Sequence, residues 1–276
     1  MSHITLFPAA QSAPQRGWAL FLALITGRYQ PGKRWQKVSW RRKFMLRSLV
    51  MPVKTAQLLN HLAQTPYGDE LLKAQPCLPC RLHRPWLAVG LKRNQALEAV
   101  TGHYKMMGDI LPAHAMQRYL SLAGWQFATL EGKNDSRYRL LLVADHNLDK
   151  EGEATLVIGD DNNETLARLT FTLCRWQNQL TLFIGGLQGA KAHVPHHAIQ
   201  HATKQCHGLF PKRVLLEALR QFAHHAGAEQ IMAVSNATHI YRSLRYRRNK
   251  EAMLFASYDA FWLGRHGGCR RSLPSA

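Results

Sequence analysis

The spacing of apolar residues along this chain changes period once. Up to about residue 125 they recur at helical intervals: over Trp18 to Thr26, over Trp35 to about Val50, then over Val53 to Leu62, Gln95 to Met107 and Ala113 to Leu122. Pro31-Gly32 separates the first two runs, and Pro52 ends the second. From Tyr138 the period shortens. RYRLLLVADHN, EATLVIGDD, TLARLTFTLCRW and QLTLFIGGL are short runs rich in Leu, Val, Ile, Thr and Phe, divided by the turn residues Asn147, Asp160 to Asn163 and Gln177-Asn178. They predict an antiparallel meander with tight turns. The helical period returns over Val214 to His225, with Gly227 as a C-cap. A strand over Gln230 to Val234, a helix around Thr238 to Arg245 and a last strand over Ala252 to Ala256 complete the pattern.

Helices followed by a strand meander and then alternating strands and helices make an α+β protein. The reading is an N-terminal helical, basic region over residues 1–125 and an α+β domain over 126–276, with a mostly antiparallel sheet and flanking helices. At 276 residues with 46% hydrophobic content, the chain can build a packed core.

Charge adds a class of partner. With 36 Lys and Arg against 17 Asp and Glu, the net charge is +19, which favours polyanions: nucleic acid, anionic phospholipid or phosphorylated lipopolysaccharide. Arg28, Lys33, Arg34, Lys37, Arg41, Arg42, Lys43, Arg47 and Lys54 follow one another with no acidic residue between them, interleaved with Trp35, Trp40 and Phe44. That composition suits an anionic membrane surface. The plainer reading is a solvated helix face whose aromatics point into the core. Asp145 to Glu164, by contrast, is locally acidic.

No run reaches the roughly 18 to 20 apolar residues needed to span a bilayer. Trp18 to Ile25 is too short and lacks a signal-peptide cleavage site, so the expected location is the cytoplasm, with peripheral contact at the inner membrane allowed. The five cysteines include one CxxC, Cys77 and Cys80, with no second pair to complete a zinc site. The histidines His193, His196, His197, His201 and His207 contain i,i+4 pairs but lack a nearby acidic ligand. No metal is expected.

Several strings carry a family resemblance: RLHRPWL (81–87), EGEATL (151–156), LTLFIGGLQG (180–189), HGLFPKRVLLEAL (207–219), AVSNATHIYRSLRY (233–246) and SYDAFW (257–262). In this order they resemble the VirK/YbjX-like bacterial proteins. The resemblance implies a link to virulence, outer-membrane remodelling and resistance to cationic antimicrobial peptides.

The order of elements after residue 126 also resembles the GCN5-related N-acetyltransferases. That likeness implies an acyl-CoA or acyl-carrier-protein donor and an acyltransferase-like activity on an envelope substrate. Tyr241 would be the general acid and His239 the base, with Asn236 beside them. Asp259, with Glu217, would orient His239 or bind an ammonium group. Gly185, Gly186, Gln188 and Gly189 after a strand, with Lys212 and Arg213 opening the next helix, would hold the donor's phosphates. Pro211 also has the ordinary role of a first helical residue. Two other readings stay open: a non-catalytic basic protein on anionic membranes, and nucleic-acid binding, for which no sequence-reading motif is present.

Overall fold

The computed structural model describes residues 12–246 together with 270 and 271. Two compact units divide the chain, Met1–Cys80 and Arg81–Ala276.

In the first unit four helices follow one another: α1 (Gly17–Thr26), α2 (Val38–Val50), α3 (Pro52–Gln64) and α4 (Gly68–Ala74). Gly27 ends α1 in the left-handed conformation (φ 81°) that a residue without Cβ adopts most easily. Pro52 supplies the first residue of α3, where its missing N–H costs nothing. α1 crosses α3 closely at Gly17, where a Cβ would lie 2.1 Å from the Asn60 side chain. The core is Leu20, Leu24, Phe44, Leu58, Leu59, Leu62, Leu71 and Leu72. Trp35 joins it from a 3₁₀ turn, Lys33–Gln36, with its indole N–H donating to Pro76 O at 2.6 Å and its ring meeting Phe44 edge-on at 5.1 Å. Arg41 holds that turn by donating to Trp35 O (2.8 Å) and Gln36 O (3.0 Å). Because the extended Lys37 separates this turn from α2, the helix expected from Trp35 begins at Val38.

The second unit is built on one sheet. Its strands are β1 (Trp125–Glu131), β2 (Arg137–Val143), β3 (Ala154–Gly159), β4 (Thr165–Trp176), β5 (Gln179–Gly189), β6 (Gln230–Ala233) and the two-residue β7 (Arg270–Arg271), in that spatial order. The first five are antiparallel neighbours, while β6 runs parallel to β5 and β7 parallel to β6. Helices α5 (Arg93–Ile110) and α6 (Ala113–Tyr119) precede the sheet; α7 (His196–Gln205) and α8 (Pro211–His225) connect β5 to β6. α5 and α8 both pack on β4, whose residues 169–174 are all buried. LTFTLC still alternates apolar residues with Thr, and the face that carries Thr170 and Thr172 is buried as fully as the face that carries Leu169, Phe171 and Leu173.

The α+β arrangement is the one the sequence predicts, and each meander strand lies where the periodicity puts it. The units divide at Cys80/Arg81, whereas the sequence reading drew its boundary near residue 125: α5 packs on β4 and α6 on β1. β1, α4 and α7 were not anticipated as elements. The helix expected over Thr238 to Arg245 is one 3₁₀ turn, Ile240–Arg242. The strand expected over Ala252 to Ala256 lies outside the described residues.

Candidate functional site

The C-terminal half of β5 is where the candidate residues of the second unit meet. β5 and β6 stay hydrogen-bonded up to Val234, whose N–H donates to Ile184 O at 3.0 Å; beyond that point β5 continues alone beside β4. Opposite Thr170 and Phe171 the register slips, leaving Gly185 as an extra residue in β5. The two strands therefore part where the sequence places Gly185 and Gly186.

The space at that parting is taken. A Cβ on Gly185 would lie 1.8 Å from Glu151 O and 2.9 Å from Leu87 Cδ1; one on Gly186 would lie 1.8 Å from Glu151 Oε2. Both glycines sit inside the strand, and their physical role is to let the Glu151 backbone and carboxylate approach it. Gln188 belongs to the same contact, its amide donating to both Glu151 oxygens at 2.9 and 3.1 Å. Leu87 comes from the segment Pro85–Val89, with φ at 64°, a conformation that costs a non-glycine residue on the order of 1 kcal/mol. That segment is tied on both sides. Leu87 N–H donates to Lys150 O, Val89 N–H donates to Thr238 O, and Ala88 forms a bridge with His239.

Gly189 is exposed at the end of β5, with a Cβ position 3.5 Å from Lys212 Cε, so Gly189 and Lys212 are neighbours. Lys212 and Arg213 lie in the first turn of α8. Burial lowers the Lys212 pKa.

His239, the candidate base, is 1% exposed, and burial brings its pKa down to about 4. Its Nδ1 accepts the Tyr241 N–H at 3.3 Å, so the ring caps the turn that carries Tyr241 and packs against the Tyr241 ring at 4.8 Å. A buried imidazole in this setting organises the loop; substrate would reach the half-buried Tyr241 first. Asn236 lies in a loop closed by Ser235 and Thr238, which exchange hydrogen bonds of 2.9 to 3.2 Å. The Glu217 carboxylate is engaged by Arg220 and Gln221 on α8, which removes it as an orienter of His239. Asp259 lies outside the described residues. His193 pairs with Glu164 at 3.2 Å, and among the described residues no group of three or more potential ligands could hold a metal ion.

What the sequence reading missed is a buried ionic cluster beneath this site. Arg81 is fully buried. Its Nε and Nη2 meet the two oxygens of Glu153 at 2.6 and 2.8 Å, and its Nη1 donates to Asp149 O at 2.5 Å. Arg84 grips the Asp149 carboxylate. Tyr104 of α5 donates to Glu153 Oε2 at 2.6 Å, and Tyr119 of α6 donates to Glu153 O at 3.0 Å. His103 completes the network: Nδ1 accepts the Leu173 N–H of β4 at 3.1 Å, which leaves the proton on Nε2, 3.3 Å from the Tyr119 hydroxyl oxygen. Burial pushes the His103 pKa down to about 3, and the Arg81 charge acts in the same sense. Burial pushes Asp149 upward, but Arg81 and Arg84 outweigh it and hold the carboxyl below its ordinary value. For Glu153 burial wins, and the pKa is raised despite Arg81. The signal was present in RLHRPWL and EGEATL, two charge-bearing strings flanking apolar runs; the acidic stretch after Asp145 is partly buried instead of solvated.

In the first unit the basic run presents a different surface. Trp35 and Phe44 are buried, as the plainer reading of that run expects, yet Val38, Leu46, Leu49, Val50 and Val53 are exposed, Leu49 to 66% and Val50 to 81%. At 3.6 residues per turn Val38, Arg42, Leu46 and Leu49 fall on one side of α2, with Lys43 and Val50 at its margin. Ten Lys and Arg, and no acidic residue, precede Asp69.

Comparison with known proteins gives the lineage. A family model described as "Protein of unknown function (DUF535)" matches residues 33–273. The "Uncharacterized protein YbjX" of Escherichia coli (strain K12) is 48% identical over 269 residues, covering 98% of this chain and 81% of the relative. The chain belongs to the VirK/YbjX family. No solved structure matches it. Among the described residues no helix is long and apolar enough to cross a membrane. In this VirK/YbjX protein the family strings RLHRPWL and EGEATL supply Arg81, Arg84 and Glu153 of the ionic cluster, and LTLFIGGLQG forms the strand that Glu151 contacts.

Two outcomes test the site. Alanine at Gly186 should destabilise the protein by about 1–3 kcal/mol, and much of that cost should disappear in a Glu151→Ala background, since the clash is with the side chain; alanine at Gly185, which meets the Glu151 backbone, should show no such relief. Denaturant titrations of the four-way cycles measure this. The second concerns pH. His103 and His239 take up protons in the unfolded chain below about 6.5 but in the folded protein only near 3 and 4, so each withdraws stability as pH falls through that window, by about 1.4 kcal/mol per pH unit. The cost of His103→Gln, measured by urea unfolding, should therefore shrink by about 2 kcal/mol between pH 7.5 and 5.

Proposed function

We propose that this protein acts at anionic membrane surfaces of the bacterial envelope, docking through the outward face of α2 and the start of α3. On this reading the docking serves the outer-membrane remodelling and resistance to cationic antimicrobial peptides that the VirK/YbjX resemblance implies. The observation that carries it is the exposure of Leu46, Leu49, Val50 and Val53 within the most basic stretch of the chain. Aliphatic side chains held in water gain by entering the boundary between headgroups and acyl chains, and each Lys or Arg near an anionic leaflet adds about 1 kcal/mol. Nucleic acid would meet the same charges but offers those aliphatic groups nothing, and its binding would vanish with salt. Membrane binding keeps an apolar remainder.

Acyl transfer to an envelope substrate is a second reading. In its favour are the parallel β5 and β6 that part at a bulge, with Tyr241 half-exposed after β6. Against it, Leu87 and Glu151 fill the parting and His239 is buried. A rise in melting temperature of the purified protein with an acyl-CoA or an acyl-carrier protein, lost on Gly189→Trp, would support it; no shift with either donor would remove it.

Co-sedimentation tests the membrane reading. The protein should bind phosphatidylglycerol vesicles at least tenfold more tightly than phosphatidylcholine vesicles and keep measurable binding at high salt. Leu49→Gln/Val50→Gln/Val53→Gln should weaken binding at least tenfold with no change in melting temperature, because those side chains are exposed. Equal binding to both vesicles, or an unaffected triple variant, would refute it.

A further inference from the structure

α1 reads GWALFLALIT, without one charged residue. A helix that is apolar on every side is normally covered on every side or faces lipid. Here Leu20, Ala23 and Leu24 are buried against the rest of the unit, while Trp18 and Leu22 stand 63% and 46% exposed. Between them and the chain at Ser12 to Pro14 runs an open groove of about 360 Å³. Its volume lies at the lower end of the range for ligand sites, about 300–1,000 Å³. The small side chains of Ala19 and Ala23, each one residue after an exposed apolar neighbour, make the helix concave there. Tyr29 also lines the groove; its hydroxyl donates to Asp69 at 2.9 Å, which fixes the ring and satisfies its only O–H. Arg28, exposed, is the one charged residue among the described residues of the lining.

An apolar trough with a guanidinium at its border suits a long hydrocarbon chain ending in an anionic head, and the phosphate head is the one that an anionic membrane supplies. We propose that the α1 groove holds one acyl chain of a phosphate-bearing anionic lipid, with Arg28 receiving the phosphate. The occupant follows from charge complementarity: Arg16 and Arg28 bracket α1, and the carboxylate that meets the groove residues, Asp69, is itself engaged by Lys73, the Tyr29 hydroxyl and the Ala13 N–H. The proposal rests on the membrane reading for its lipid, but its residues differ from the α2 and α3 face. Docking on a bilayer and withdrawing a single chain into the groove are separate events.

The test uses the full-length protein and lysophosphatidylglycerols of increasing chain length, each below its critical micelle concentration, with binding followed by calorimetry. One lipid per chain should bind, with affinity rising about fourfold per added methylene until the groove is full and levelling thereafter. Lysophosphatidylcholine should bind at least fivefold more weakly, and Arg28→Gln should abolish that preference. Ala19→Phe, which fills the groove from a half-exposed position, should abolish lysolipid binding while leaving vesicle binding within twofold of wild type. Absence of binding below the micelle concentration, affinity that climbs with chain length without limit, or indifference to Ala19→Phe would each overturn the proposal. So would binding that appears only in a Leu6→Ser/Phe7→Ser variant, which would make the chain's own N-terminal residues the occupant. Glycerol phosphate alone should not bind; if it bound as tightly as the lysolipid, the site would be a phosphate site and the groove irrelevant. Absence of lysolipid binding by the wild-type protein with its vesicle binding intact would refute the groove alone, whereas absence of both would refute the membrane reading as well.

Discussion

Burial of the Arg81 guanidinium is the constraint on which the second unit is arranged. An ion of that size withdrawn from water costs several kcal/mol unless its donors are met, and removing one partner of such a pair costs about 3–5 kcal/mol. Glu153 meets Arg81 with both oxygens, Asp149 meets it with a carbonyl and a carboxylate, and Tyr104 takes up the remaining demand of Glu153. These groups come from three parts of the chain, with Asp149 and Glu153 only four residues apart. Their mutual satisfaction sets where α5, α6 and the start of β3 can lie, because a shift of any one leaves a charge unpaired in a low-dielectric interior.

The same constraint reaches the candidate site. Arg81 and Arg84 immediately precede the segment that delivers Leu87, whose far end is tied by Val89 N–H to Thr238 O, and Asp149 and Glu153 flank Glu151. With these ends held, Leu87 and Glu151 are pressed onto Gly185 and Gly186, where the strands part. Glycine is required at those positions by the close approach of Glu151, a packing requirement that phosphate binding would mimic in sequence. A glycine pair followed by Gln and Gly beside a strand looks alike in both cases; only the neighbour from 35 residues earlier distinguishes them.

The first unit shows the opposite economy. It gathers ten positive charges before its first carboxylate and leaves aliphatic side chains in water beside them, although self-repulsion and exposed apolar area both oppose folding. A surface of this kind is retained when it faces something that neutralises the charge and covers the apolar groups together. An anionic bilayer does both, and the membrane reading follows from that pairing, since charge alone would suit any polyanion.

Local periodicity in the sequence was enough to determine the α+β class, the strands of the meander and the helices α1, α3, α5 and α8, because short-range patterns of side chains are sufficient for each, and the family strings carried the resemblance to the VirK/YbjX family. β1 escaped because Trp125 to Glu131 is half-exposed and weakly patterned, and α7 because its polar HHAIQHATKQ has little apolar stripe to show. Only the tertiary structure decided that His239 is a buried cap, that Gly185 and Gly186 make room for Glu151, that Arg81 pairs with Glu153 from 72 residues away, and that Leu49 and Val50 stay in water while Phe44 is buried. Burial and long-range pairing depend on which distant segments meet, and no local pattern along a chain records that.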